Sequence, residues 1–202
     1  MLGPLFAALC LGACLLPPDW QALLDYRPGA IDQPGRLIGA HLVHWSPAHA
    51  LGNAVVLLVA CRMLERQLGR VTLGLLLLVG ALAIDAVLWL GAPHMLAYRG
   101  ASGLVAMLLA LLVLTRVSAA RRAAAALACI ALAGLTTLAQ AGGIAPSSLP
   151  EGVQSAWQAH LAGVMAAILA LRAGLGRASP SAQDARIMRV TASPALPIRS
   201  QP

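Results

Sequence analysis

Ser102 lies between two glycines, in the stretch Gly100-Ala101-Ser102-Gly103 at the start of an apolar run. A serine hydroxyl is a poor nucleophile until a base takes its proton. His160 opens a later apolar run in the same way, in the stretch Ala159-His160-Leu161-Ala162-Gly163. These two residues predict covalent catalysis, with Ser102 as the nucleophile and His160 as general base and then general acid.

A third apolar run carries Asn53 and is preceded by His44 and His49. The oxyanion of a tetrahedral intermediate needs hydrogen-bond donors aimed at it. The side chains of Asn53 and His49, together with the backbone N–H of Ser102, are the candidate donors. His44 is expected to brace the first loop rather than to take part in the chemistry.

The composition is that of a polytopic membrane protein. Hydrophobic residues make up 59% of the chain and charged residues 10%, whereas soluble domains have about 25% charged residues. The apolar runs are continuous, which favours helices over a β-barrel. All 14 basic residues are arginine and aromatics are only 3%, so the net charge of +7 indicates membrane topology rather than binding to nucleic acid.

The apolar runs predict an all-α, six-transmembrane-helix domain over residues 1–177 and a disordered cytoplasmic tail over 178–202. The predicted helices cover residues 2–16, 47–63, 71–90, 102–114, 123–140 and 157–171. A polar loop over 19–45 is expected on the membrane surface. Under this order of spans, eleven of the 14 arginines lie on one side, with Arg27, Arg36 and Arg99 on the other. That asymmetry predicts that both termini are cytoplasmic.

In this arrangement the second, fourth and sixth helices run in the same direction. At 1.5 Å per residue, Asn53, Ser102 and His160 each lie about 18 to 21 Å from the charges that end their helices. Any one of them alone could simply bond its own backbone or join two helices. Their shared depth instead favours a function, because polar groups in the membrane are costly.

Three further sets of residues have side chains that could take part in chemistry: Asp85, the cysteines and the histidines. Asp85 lies inside the third predicted span; it is expected to be a paired polar group, with Arg99 as a candidate partner, and the alternative is a site residue that tunes a histidine. The four cysteines fall in apolar runs without CxxC spacing, which is typical of packing residues. The histidines have no metal-ligand spacing. No metal or cofactor is predicted.

At these residues the chain resembles the rhomboid family of intramembrane serine proteases. The stretches around Ser102 and His160 resemble the family's GxSG and AHxxG boxes, and His44, His49 and Asn53 match its HxxxxHxxxN pattern. The resemblance covers Arg36 to about Arg172. It implies an intramembrane endopeptidase with a Ser–His dyad in the bacterial inner membrane, whose site opens to the periplasmic side. Gly100, Gly103 and Gly163 would then support the turn and the close packing around the site.

The stretches 39–45 and 98–103 are closer still to the rhombosortase branch of that family. This branch is associated with the removal of C-terminal Gly-Gly-type sorting tails, so the implied partners are membrane-anchored proteins with C-terminal transmembrane tails. Two departures concern the site: Gly35 precedes Arg36 where many rhomboids have Trp, and Ala106 stands where many have a Tyr that packs on the catalytic histidine. The rival functions are a catalytically inactive rhomboid-like binder of membrane helices, a small transporter or channel, and a structural membrane protein.

Overall fold

The chain is helical in the computed structural model, which describes residues 1–29, 32–141, 149–150, 153 and 155–175. The helices are α1 (Leu2–Ala13), α2 (Pro18–Leu24), α3 (Pro34–Gly39), α4 (Pro47–Leu68), α5 (Arg70–Gly91), α6 (Ser102–Arg116), α7 (Arg122–Ala141) and α8 (Trp157–Arg172), with a 3₁₀ turn at Ala119–Arg121. These residues form no strand, and an isolated antiparallel bridge joins Tyr26 to Tyr98. The predicted all-α architecture is confirmed, whereas the predicted tail over 178–202 lies outside the described residues.

Helix α4 continues past its predicted end at residue 63. Ser46 caps its start, and the Ser46 hydroxyl accepts a hydrogen bond from the backbone N–H of His49 at 3.1 Å. Gly69 follows its last residue and has a φ of +83° that an L side chain rarely adopts. The charged residues near its end do not stop the helix, because they share its last turns with the buried side chains of Leu64 and Leu68.

Several helices are apolar on their outer faces as well as inside. By length and composition, three segments could cross a membrane: Pro47–Leu68, Arg70–Gly91 and Ala119–Gln140. The helices Leu2–Ala13 and Ser102–Arg116 are apolar but shorter. Large apolar side chains such as Val71, Leu90 and Leu138 are 70% or more exposed, which suits contact with lipid. The structure therefore supports membrane insertion, while the count of six spans remains a prediction.

Helix α6 lies at the centre of the bundle, where it contacts α4, α5, α7 and α8. Its buried residues are Gly103, Leu104, Met107, Leu108, Ala110, Leu111, Leu112 and Leu114. Because these residues face several directions, the helix is enclosed over most of its length. This enclosure fixes the position of the first residue of the helix, Ser102.

Helices α6 and α8 approach each other through glycines. A Cβ atom placed on Gly163 would overlap the carbonyl oxygen of Gly103, and one on Gly103 would lie 2.9 Å from the carbonyl oxygen of Ala159. Small residues allow helix backbones to come this close in a membrane. The contact brings the beginnings of α6 and α8 together.

The segment between α1 and α4 is not a plain loop, since it contains the short helices α2 and α3. Both begin at a proline, a residue preorganised for the first helical turn. The carboxylate of Asp25, which is 2% exposed, receives Arg27 Nε at 3.0 Å, Arg36 Nη1 at 2.9 Å and Arg99 Nη2 at 3.3 Å. The three arginines assigned to the minority side of the membrane therefore meet at one buried acid.

Candidate active site

Ser102 and His160 are in hydrogen-bond contact. Ser102 is the first residue of α6 and His160 lies in the first turn of α8. The hydroxyl oxygen of Ser102 is 3.0 Å from Nε2 of His160. This distance is within the range that proton transfer between a nucleophile and its base requires.

The turn before Ser102 depends on Gly100. Its φ is +130°, and a Cβ atom there would lie 2.7 Å from Cε1 of His49. Two hydrogen bonds hold this glycine: its N–H donates to the carbonyl of Ala40 at 2.8 Å, and its carbonyl accepts from the hydroxyl of Tyr98 at 2.7 Å. The turn therefore has room for glycine alone at this position.

His44 holds the residue that precedes Ser102. Its Nδ1 lies 2.9 Å from the carbonyl of Leu42, and its Nε2 accepts a hydrogen bond from the backbone N–H of Ala101 at 3.3 Å. A carbonyl can only accept, so Nδ1 carries the proton and the ring is neutral. Burial, and to a lesser extent the neighbouring His49, lower the pKa of His44 to about 4.

Asn53 and His49 face the same cavity as Ser102 and His160. Asn53 is 7% exposed, and its amide nitrogen has no hydrogen-bond partner among the described residues. The ring of His49 packs edge-on against the ring of His44, with 4.9 Å between their centroids. Two polar side chains with donor capacity thus lie beside the Ser102–His160 pair.

Thr137 is a neighbour of His160 that the sequence analysis did not single out. Its hydroxyl oxygen lies 3.4 Å from Nδ1 of His160, on the opposite edge of the ring from Ser102. The position of Thr137 along its helix is the signal in the sequence that points to this contact. Thr137 lies about 22 Å along α7 from Arg122, which matches the depth of Ser102 when α7 runs in the opposite direction.

The expected partner of Asp85 was wrong. Arg99 binds Asp25 and lies over the ring of Trp45, with its Cζ atom 4.8 Å from the ring centroid. Asp85 instead lies beside His41, whose Nε2 is 3.4 Å from Oδ1 of the carboxylate. Arg99 lies in a loop and pairs with Asp25, which also lies in a loop. The buried Asp85 is therefore free to contact the buried His41.

The site opens into a cavity of about 760 Å³. Its walls come from the ends of several helices and from the loops between them; they include Trp45, His94, Gln140, Ser155 and Trp157. Among the residues that the structure describes, no group of three or more His, Cys, Asp and Glu side chains could hold a metal ion. The arrangement therefore brings a serine hydroxyl, an imidazole and further side chains with hydrogen-bond donors together at one cavity.

The chain matches a known family. The family described as "Rhomboid domain" matches residues 32–176, which is well over half of the 202 residues and contains every site residue named above. No curated protein matches the chain. Given the extent of that match and the exposed apolar faces of its helices, the protein is an integral membrane protein of the rhomboid family, a family of intramembrane serine proteases.

Proposed function

We propose that the protein is an active intramembrane serine endopeptidase, with Ser102 as nucleophile and His160 as general base and acid. The observation that carries this proposal is the 3.0 Å contact between Ser102 Oγ and His160 Nε2. Both residues lie at the beginnings of their helices, where α6 and α8 converge. No metal or cofactor takes part.

The reaction has two stages. Ser102 Oγ attacks the scissile carbonyl carbon while its proton passes to Nε2 of His160. The C–N bond then breaks as His160 returns that proton to the leaving amine, which leaves an acyl-enzyme on Ser102. A water molecule then attacks the ester with His160 taking its proton, the C–O bond to Ser102 breaks, and the proton goes back to the serine.

The tetrahedral oxyanion is bound by three groups. The amide N–H of Asn53, the ring of His49 and the backbone N–H of Ser102 are the donors. Ser102 begins a helix, and the first N–H groups of a helix have no partner within it. The amide nitrogen of Asn53 is buried and has no partner among the described residues, which supports this role, because an unpaired buried donor is costly unless a ligand uses it.

The chain lies in the bacterial inner membrane as six spans with both termini in the cytoplasm, and its site opens to the periplasm. The clustering of Arg27, Arg36 and Arg99 on Asp25 supports this orientation. Positive charge on the outer side is disfavoured, and pairing with a buried carboxylate offsets the charge of the loop arginines.

The substrates are membrane-anchored proteins whose C-terminal tails carry a Gly-Gly-type sorting signal before a short transmembrane helix. The support is the likeness of stretches 39–45 and 98–103 to the rhombosortase branch. The two stretches contact each other, through Ala40 to Gly100 and through His44 to Ala101. They therefore form one structural unit beside Ser102.

The test is the cleavage of a tail-anchored reporter in membranes. The reporter ends in Gly-Gly, a short apolar helix and basic residues. Wild type and the control His94→Ala, which alters an exposed histidine of the same cavity, are expected to cut. Ser102→Ala and His160→Ala, present at equal levels, are expected to be silent. Equal cutting by all four would contradict the dyad and favour the inactive, helix-binding alternative. Silence of all four would contradict the Gly-Gly substrate.

A further inference from the structure

His160 is held on both edges of its ring, by Ser102 on one side and by Thr137 on the other. Thr137 belongs to α7 and is 7% exposed. Its hydroxyl oxygen lies 2.9 Å from the carbonyl oxygen of Ala133 and 3.4 Å from Nδ1 of His160. The side chain therefore has two polar neighbours and a single hydrogen to share between them.

The hydroxyl hydrogen points to Ala133. A carbonyl can only accept, and the distance to Ala133 is the shorter of the two. The oxygen of Thr137 thus presents a lone pair to His160. That contact is favourable only when Nδ1 of His160 carries a proton, because a bare nitrogen would face another lone pair.

A proton on Nδ1 leaves Nε2 bare in the neutral ring. The bare nitrogen is the one that lies 3.0 Å from the hydroxyl of Ser102, so this tautomer is the one able to act as a base. The other hydrogen bond of a histidine commonly decides which of its nitrogens is protonated. A carboxylate takes this role in a Ser–His–Asp triad, yet His160 forms no ion pair with an acid in the described part of the chain.

We propose that Thr137 is the positioning residue of His160, and that its oxygen accepts the Nδ1–H bond and so fixes both the tautomer and the plane of the ring. The inference rests on the proposed Ser102–His160 dyad and deepens it. It also explains how the base is held with Ala106 in place of an aromatic residue on α6. Helix α7, which supplies no reacting group, thereby becomes necessary for the alignment of the base.

Thr136 offers a matched control on the same helix. Its hydroxyl bonds back to the carbonyl of Leu132 at 2.9 Å, as a threonine in a helix commonly does. It is exposed and has no contact with His160 among those that the structure describes. A change of Thr136 to Val therefore removes the same backbone contact as a change of Thr137 to Val, without touching the site.

The experiment compares wild type, Thr137→Val, Thr137→Ser and Thr136→Val in detergent. One readout is the rate of covalent labelling by a fluorophosphonate, which needs no knowledge of the substrate. Loss of one hydrogen bond predicts labelling about tenfold slower in Thr137→Val. Thr137→Ser is expected to restore most of the rate, and Thr136→Val to match wild type.

The second readout is the tautomer of His160, taken from ¹⁵N spectra of protein with ¹⁵N-labelled histidine rings and assigned by comparison with His160→Ala. Wild type is expected to carry the proton on Nδ1, and Thr137→Val is expected to move it toward Nε2. A role in folding alone would lower the unfolding temperature and leave the tautomer unchanged.

The outcomes separate the inference from the proposed function. If wild type is labelled and Thr137→Val has the same labelling rate or the same His160 tautomer, the proposed role of Thr137 is overturned. A proton on Nε2 in wild type would do the same. Absence of labelling in wild type would instead contradict the proposed protease activity, and the spectra would still decide whether Thr137 holds the ring.

Discussion

Nε2 of His44 accepts a hydrogen bond from the backbone N–H of Ala101 at 3.3 Å. Ala101 immediately precedes Ser102, so a side chain before α4 contacts the residue at which the helix of Ser102 begins. The bond exists only while His44 is neutral, because a protonated Nε2 would face a second donor. The position of Ser102 is therefore linked to the protonation state of His44.

This link predicts that stability falls as the pH is lowered. The pKa of His44 drops from 6.5 to about 4 on folding, so between these values the unfolded chain binds a proton that the folded protein does not. The free energy of unfolding is at its full value above pH 6.5 and decreases toward pH 4, by about 3 kcal/mol in total. Thermal unfolding in detergent at pH 7, 6 and 5 measures the effect.

His44→Gln is the control for this pH dependence. A glutamine amide can donate to Leu42 and accept from Ala101, yet it does not titrate. The variant is expected to keep labelling at Ser102 and to lose most of the decrease in stability between pH 7 and pH 5. An unchanged pH dependence in the variant would show that His44 is not its source.

Asn53→Ala is expected to lower kcat by roughly 10²- to 10³-fold with KM nearly unchanged, because an oxyanion donor acts mainly in the transition state. The kinetics of reporter cleavage give both kcat and KM for the variant. Gln140→Ala, which alters another polar side chain of the cavity, is expected to retain most of the activity. A similar loss in both variants would indicate damage to the cavity rather than loss of a donor.

Gly163→Ala is expected to force α6 and α8 apart, since its Cβ would overlap the carbonyl of Gly103. Overpacking of this kind costs about 1 to 3 kcal/mol and would lengthen the Ser102–His160 contact. The matched change Gly134→Ala lies in α7 with open space around it, and it is expected to stabilise by about 0.5 to 1 kcal/mol. The unfolding temperatures of the two variants test this prediction. Equal values would contradict the close contact between α6 and α8.

Asp25→Asn is expected to destabilise the protein by about 3 kcal/mol, because Arg27, Arg36 and Arg99 would lose their shared, buried counter-ion. Asp19→Asn changes an exposed acid in α2 and is expected to stay within about 0.5 kcal/mol. Chemical unfolding of both variants compares them, and an Asp25→Asn protein as stable as wild type would show that the cluster contributes nothing.

The sequence predicted the parts of the site that follow from spacing along single helices. Continuous apolar runs place the helices, and a rise of 1.5 Å per residue places Asn53, Ser102 and His160 at one depth. The structure adds the mutual distances of the side chains, which spacing cannot supply. Gly100 stood out as a glycine beside the serine, but its contact with His49 depends on how two distant segments meet.

The partners of the charged loop residues were beyond prediction. The separation of Arg99 from Asp85 along the sequence does not decide whether the two residues pair. The fold of α2 and α3 brings Asp25 to Arg99 instead. Thr137 was missed for a different reason: a lone threonine in an apolar helix commonly bonds its own backbone. It does so here as well, and its second contact depends on the packing of α7 against α8.

The most direct measurement is fluorophosphonate labelling of the purified protein, with the modified residue identified by mass spectrometry. We expect labelling at Ser102, its loss in Ser102→Ala and His160→Ala, and its retention in Ser155→Ala, which removes another serine of the same cavity. Labelling that persists in Ser102→Ala, or that does not depend on His160, would contradict the dyad.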